Sequence, residues 1–333
     1  MLDPIIPGWC LADMVTTQVA RSGVLEVEIS RVRLLLSLAV GVVAVSFAAI
    51  LIRFAQAAGM PTLPIAAWRL VFASAILLPY AWFTRRSEMR QLTRREWILL
   101  GLSGVFLGLH FATWIGSLGL TSVASSVVLA SMGPAFVSLG SWLFLRERPG
   151  SLLALGIVLA AAGSILISWG DLGKGQDQLL GDLLALAGAI MVAGYLMLGR
   201  RVRGQLSLAT YIALVYGVGM LTLLAIVLVS GQPMVGYSPA AYAWVLALAL
   251  GPQIVGHSTL NWALRYLSAT FVAIIVLTEP IGSGILAYLL LGEVVTWSTG
   301  LGAVLVLAGI YIASRAELAS AKGPVGIEGG PVT

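Results

Sequence analysis

Charge is scarce in this chain. Only 10% of its 333 residues are Asp, Glu, Lys or Arg, against ~25% in an average soluble protein. So few charges cannot clothe a water-facing surface. With 59% hydrophobic residues and a mean hydropathy of +0.99, lipid must be the main solvent. Cysteine and histidine are nearly missing, with one Cys, Cys10, and two His. That excludes a disulfide framework and argues against a Cys/His metal site. There is no Gly-rich phosphate loop, no Ser/His/Asp arrangement of useful spacing and no ATP motif. Neither an enzyme nor an ATP-driven pump is expected, and no cofactor. A net charge of +5 raises nucleic acid as a partner. Its distribution argues against that, because the basic residues sit in short loops between apolar runs and act there as topology signals. No cleavable secretory signal of the usual form opens the chain. The first apolar run follows Arg31 and Arg33 and continues for too many residues to be a signal core.

What the chain does have is long apolar runs. Ten of them, at residues 34–55, 63–83, 97–118, 122–145, 152–169, 179–198, 208–230, 240–264, 268–291 and 298–314, approach the ~20 residues that a helix needs to cross a bilayer. The expected fold is therefore an all-α membrane protein of ten transmembrane helices. Residues 1–30 read as a cytoplasmic tail, with Met14 as an alternative start. Residues 316–333, rich in Gly and Pro, read as a disordered cytoplasmic tail. If the N-terminus is inside, sixteen Lys and Arg fall on the inner side and only Lys174 lies in an outer loop, with Arg53 and Arg69 inside spans. This bias puts both termini in the cytoplasm.

The chain also repeats itself. Displaced by 146 residues, 118–168 falls on 264–314 without a gap, with thirteen of 51 positions identical. Pro134 meets Pro280, Glu147 meets Glu293, Gly156 meets Gly302 and Gly163 meets Gly309. Five spans per repeat, at 31–170 and 178–315, make the second repeat enter the membrane inverted. Many secondary transporters share this plan and hold substrate near the midplane between the repeats.

Most of the membrane region resembles the EamA family of the drug/metabolite transporter superfamily. The resemblance rests on the 5+5 layout, on Pro134-Ala135-Phe136 followed by Leu145-Arg146-Glu147-Arg148, and on Glu279-Pro280 followed by Leu291-Gly292-Glu293, Gly302 and Gly309. It implies a ten-helix inverted-repeat carrier of an inner membrane, exporting small metabolites and often amino acids. Carriage of drug-like compounds, nucleobases or sugars, or a scaffold that transports nothing, are the alternatives.

Glu279 is the foremost candidate residue. A carboxylate at bilayer depth costs at least ~2.5–3.5 kcal/mol on insertion scales, so a cavity is its expected setting. There it can bind a proton, the candidate coupling ion, or a substrate ammonium. The other reading is a structural hydrogen bond. Its mate in the first repeat is Gly133. His110, with Phe106 and Trp114 four residues to either side, forms either a pocket wall or an aromatic packing cluster. Gln253, His257, Asn261 and Arg265 follow at i+4 steps beside Pro252. They line a hydrated path or bond to neighbouring helices. Arg69 can attract a substrate carboxylate. Both Arg53 and Arg69 can also snorkel to the outer interface, which is the favoured account of Arg53. Glu147 and Glu293 are expected to cap the helices that follow them. Pro134 and Pro280 are expected mid-span kinks on which alternating access depends. Trp114, His110, Asn261 and Glu279 are expected to converge on one central cavity.

Overall fold

The computed structural model describes residues 31–133, 135–136, 150–171, 176–203, 206–263 and 278–321. Pro134, Arg146, Glu147, Arg148, Lys174, Arg265 and both tails, at 1–30 and 322–333, lie outside the described residues. By internal contacts the chain divides into Met1–Leu36 and Ser37–Thr333. The described residues of the first unit, 31–36, are helical.

The helices are α1 (Arg31–Ser46), α2 (Ala48–Ala57), α3 (Thr62–Arg90), α4 (Arg94–Ser117), α5 (Val123–Ala130), α6 (Ser151–Asp171), α7 (Gln176–Arg203), α8 (Leu208–Ser230), α9 (Pro239–Leu248), α10 (Ser258–Ala263), α11 (Glu279–Leu291) and α12 (Trp297–Ala321). A π-helical segment, Ala249–His257, joins α9 to α10. No strand occurs among the described residues. Six stretches are long and apolar enough to cross a membrane: Leu36–Ala57, Thr62–Arg90, Arg94–Ser117, Asp177–Arg203, Leu208–Ser230 and Pro239–Ala263. Shorter apolar helices cover Ala154–Ile167, Glu279–Leu291 and Trp297–Ala313. All coincide with expected spans. The expected span 122–145 is described only as far as Phe136. Large apolar side chains such as Phe83, Leu228 and Val229 stand open on the surface, as they must where lipid is the solvent.

Local chemistry sets the helix ends. Ser122, Ser207 and Ser238 accept from the backbone N–H three residues on, and Thr93 with Glu96 closes a reciprocal capping box at α4. Gly231 and Gly292 close α8 and α11 at φ 70° and 67°, a left-handed conformation that glycine adopts without a Cβ penalty.

Loop contacts separate two faces. On one, Ser238 Oγ donates to the Ala58 carbonyl (3.1 Å) and Trp68 Nε1 to that of Met234 (2.7 Å). On the other, the Glu88 carboxylate at the end of α3 accepts from Ser207 N, Ser207 Oγ and Thr210 Oγ1 at 2.6–2.7 Å, holding the start of α8.

Two pairs of glycines bring α6 and α12 into backbone contact. A Cβ on Gly156 would lie 2.6 Å from the Gly309 carbonyl oxygen, and one on Gly163 2.6 Å from that of Gly302. Only helices without side chains at these points can approach so closely. The sequence repeat pairs Gly156 with Gly302 and Gly163 with Gly309. Exchanging the repeats therefore turns each contact into the other. The two helices run antiparallel, as oppositely inserted repeats require.

Turn residues stand at matching positions just before the repeat-matched prolines. α5 ends at Ala130 and turns through Ser131 and Met132. In the second repeat Thr278 is a turn residue and α11 starts at Glu279. Met132 and Thr278 are 146 residues apart, the repeat displacement. Pro280 thus sits in the first turn of α11 rather than inside an unbroken helix, where its missing N–H costs no helix bond.

Candidate functional site

Arg69, seven residues into α3, is fully buried. It does not snorkel. Its guanidinium carbon lies 4.0 Å from the centre of the Phe111 ring of α4 and 6.0 Å from that of Trp114. Its Nε donates to Gln253 Oε1 at 2.7 Å. Cation–π contact and one charge-assisted hydrogen bond explain how a buried guanidinium is held.

Gln253 lies on the π-helical segment next to Pro252. Proline offers no N–H to an α-helical ladder, and π segments are rare and recur at functional sites. Here the segment carries Gln253 and His257. The His257 ring meets Phe111 edge-on at 5.7 Å. His257 O accepts from Asn261 Nδ2 (2.9 Å), and Asn261 Oδ1 accepts from the Tyr195 hydroxyl of α7 (3.0 Å). Arg203 Nη2 donates to the Asn261 carbonyl at 2.5 Å. Arg203 is therefore buried against the site, although the sequence places it among the loop charges. The Tyr216 hydroxyl of α8 reaches Ser258 Oγ at 3.4 Å.

His110 is buried with its ring parallel to that of Trp114, 5.9 Å between centres. Its Nδ1 lies 2.9 Å from the Gly188 carbonyl. A carbonyl only accepts, so Nδ1 carries the proton of this bond. The aromatic wall and the internal hydrogen bond are both present. Phe106, which the sequence sets on the same stripe, instead meets Gly194 of α7. Glu279 is half-buried at the first turn of α11 and interacts electrostatically with Arg69, as do His110 and His257.

The structure thus joins Arg69, Trp114, His110 and His257 around Phe111, and extends through His257 to Asn261. Glu279 borders the group through Arg69. Sequence reasoning missed Phe111, Tyr195, Tyr216 and the buried Asp182, which accepts from Thr121 Oγ1 at 2.9 Å. Phe111 lies one residue off the 106/110/114 stripe, and hydropathy does not separate the tyrosines from their apolar neighbours. Asp182 was visible as a lone acid within an apolar run.

Arg53 and Glu293 form a separate group at the face of the Ser238–Ala58 contact. Arg53 Nη2 bonds Glu293 Oε1 (3.1 Å) and the Thr121 carbonyl (2.9 Å), and Glu293 Oε2 accepts from Val123 N (2.8 Å). Arg53 is paired rather than snorkelling. Glu293 caps a helix N-terminus, but that of α5 and not of the helix following it. An open cavity of about 300 Å³ surrounds this pair. The described residues contain no group of three or more His, Cys, Asp or Glu that could hold a metal ion.

Apolar helices crossed at glycine, with turns at matching positions of the two repeats, describe a two-repeat, multi-pass membrane protein. The chain belongs to the EamA-like transporter family, whose profile matches residues 33–169 and again 179–315. It is similar to an "Uncharacterized transporter" of Archaeoglobus fulgidus, 26% identical over 76% of this chain and 88% of the relative. It is also similar to the "Uncharacterized transporter YyaM" of Bacillus subtilis, 25% identical over 75% and 83%. A solved crystal structure shares the fold, with a TM-score of 0.57 at 19% identity over 86% of this chain and 99% of that one.

Proposed function

We propose that this protein is a secondary active carrier that exports small polar metabolites, amino acids among them, from the cytoplasm by alternating access. The observation that carries the proposal is the pair of turn residues at Met132 and Thr278, one repeat displacement apart and each followed by helix. Inverted-repeat carriers build their midplane sites from discontinuous helices, whose freed backbone groups face substrate or coupling ion. In this reading Glu279, at the start of α11, acts together with Arg69, with which it interacts electrostatically. Glu279 serves as the coupling group in this reading. It takes a proton when the site is closed from water and releases it when the site opens. In this reading the Arg53–Glu293–Val123 contacts belong to the gate on the outward face.

Counterflow of labelled amino acids into proteoliposomes tests the proposal. Wild-type protein is expected to accumulate label, at a rate that depends on pH. Glu279→Gln keeps the shape and a donor but cannot titrate. It is expected to insert and fold, and to lose transport or its pH dependence. Wild-type rate with an unaltered pH profile in Glu279→Gln would remove the coupling role. Absence of counterflow for amino acids and other metabolites alike would remove the carrier.

A further inference from the structure

The Arg69 guanidinium is buried, yet only its Nε is bonded. Nη1 and Nη2 have no hydrogen-bond partner among the described residues. Beside it, Trp114 Nε1 is buried and also without a partner. Both groups donate only, and neither can accept. Buried polar groups are rarely left unmatched, since each loses its hydration without replacement. The Phe111 ring covers one face of the guanidinium at 4.0 Å, and Gln253 Oε1 fixes its Nε edge at 2.7 Å. The Nη1–Nη2 edge is the one left free. A planar carboxylate matches that edge with two parallel bonds and offers further lone pairs to a third donor.

We infer that Arg69 and Trp114 form the binding site for a ligand carboxylate. Arg69 grips the two oxygens through Nη1 and Nη2, and Trp114 Nε1 donates to one of them. This rests on the carrier reading and narrows it to small organic acids, whether or not they carry an ammonium.

The test uses full-length protein in detergent and the quenching of tryptophan fluorescence. Its probes are acetate, benzoate, 3-phenylpropionate and L-phenylalanine, each paired with its primary amide. The carboxylates are expected to bind at least tenfold more tightly than the amides. Arg69→Lys keeps the charge but loses the fork, and is expected to abolish that preference. Trp114→Phe keeps a ring and removes one donor. It is expected to weaken the carboxylates several-fold, read by thermal shift, while leaving the amides unchanged. Should Arg69→Lys fail to fold, Trp114→Phe decides. Equal binding of acids and amides, or a preference indifferent to both substitutions, overturns the inference and means that water alone fills the fork. Counterflow of a non-acidic solute alongside that result would leave the carrier standing. Arg69-dependent binding of acids without any counterflow would leave the site standing and remove the carrier.

Discussion

Arg53 and Glu293 carry opposite charges on different repeats and meet at 3.1 Å, each about a quarter exposed. Partial exposure screens such a pair, and its strength is at most ~1 kcal/mol. That suffices to bias two access states of similar energy by about fivefold. The Glu293 bond to Val123 N adds to the bias. Glu293→Gln is expected to open this face more often without unfolding the protein. Labelling of Ser122→Cys by a membrane-impermeant thiol reagent added outside would then rise two- to fivefold. Cys10, the single native thiol, lies on the expected inner side and does not interfere. Unchanged labelling would make the pair a surface contact with no part in closure. At this scale the sequence told least. It marked Arg69, His110, His257, Asn261 and Glu279 as unusual, since polar groups stand out in apolar runs. It did not tell which way each one pointed. Arg69 and Arg53 look alike by depth and residue type. One is sealed under Phe111, and the other is tied to a loop glutamate 240 positions away.

Whole helices were more legible. Their length and apolarity are set by bilayer thickness alone, so the six long apolar stretches among the described residues fall on expected spans, while 122–145 and 268–291 are described only in part. The departures are backbone events with a tertiary cause. Phe47 is the single non-helical residue between α1 and α2. Pro252 falls in a π segment rather than at a simple kink, and Pro280 starts a helix rather than bending one. Proline marks such places without stating which form the break takes. The glycines were legible as repeat mates but not as contacts. A side chain at Gly156 would have to displace the backbone of Gly309 and Ala313. Gly156→Val is therefore expected to destabilise the folded protein by ~1–3 kcal/mol, an overpacking cost, and to lower its melting temperature in detergent by several degrees. Gly284→Ala meets nothing within 4 Å and is the matched control, expected to stay within ~0.5 kcal/mol of wild type. Equal melting of the two variants would show that α6 and α12 are not held at this crossing.

For the molecule as a whole, orientation follows from the charge distribution of the sequence. The sixteen-to-one distribution of Lys and Arg predicts that reporter fusions at either terminus signal from the cytoplasm. An external C-terminus would contradict the inverted insertion of the second repeat. Internal symmetry is what made this scale readable. A displacement found by matching letters reappears as turns at matching positions and as a pair of contacts that exchange with each other.

The glycine crossing of α6 and α12 has a consequence for descent. A contact that maps onto itself when its two sides are exchanged is isologous, the kind that closes a twofold dimer. Before any duplication and fusion, a single repeat carrying these glycines pairs with an oppositely inserted copy of itself through the same surface. The present chain would then be a covalently joined pair whose halves have diverged, with Glu279 on one side and Gly133 on the other. If so, the joint between residues 171 and 176 is dispensable for assembly. Residues 1–173 and 174–333, produced as two polypeptides in one cell, are expected to copurify, and Gly156→Val in the first is expected to part them.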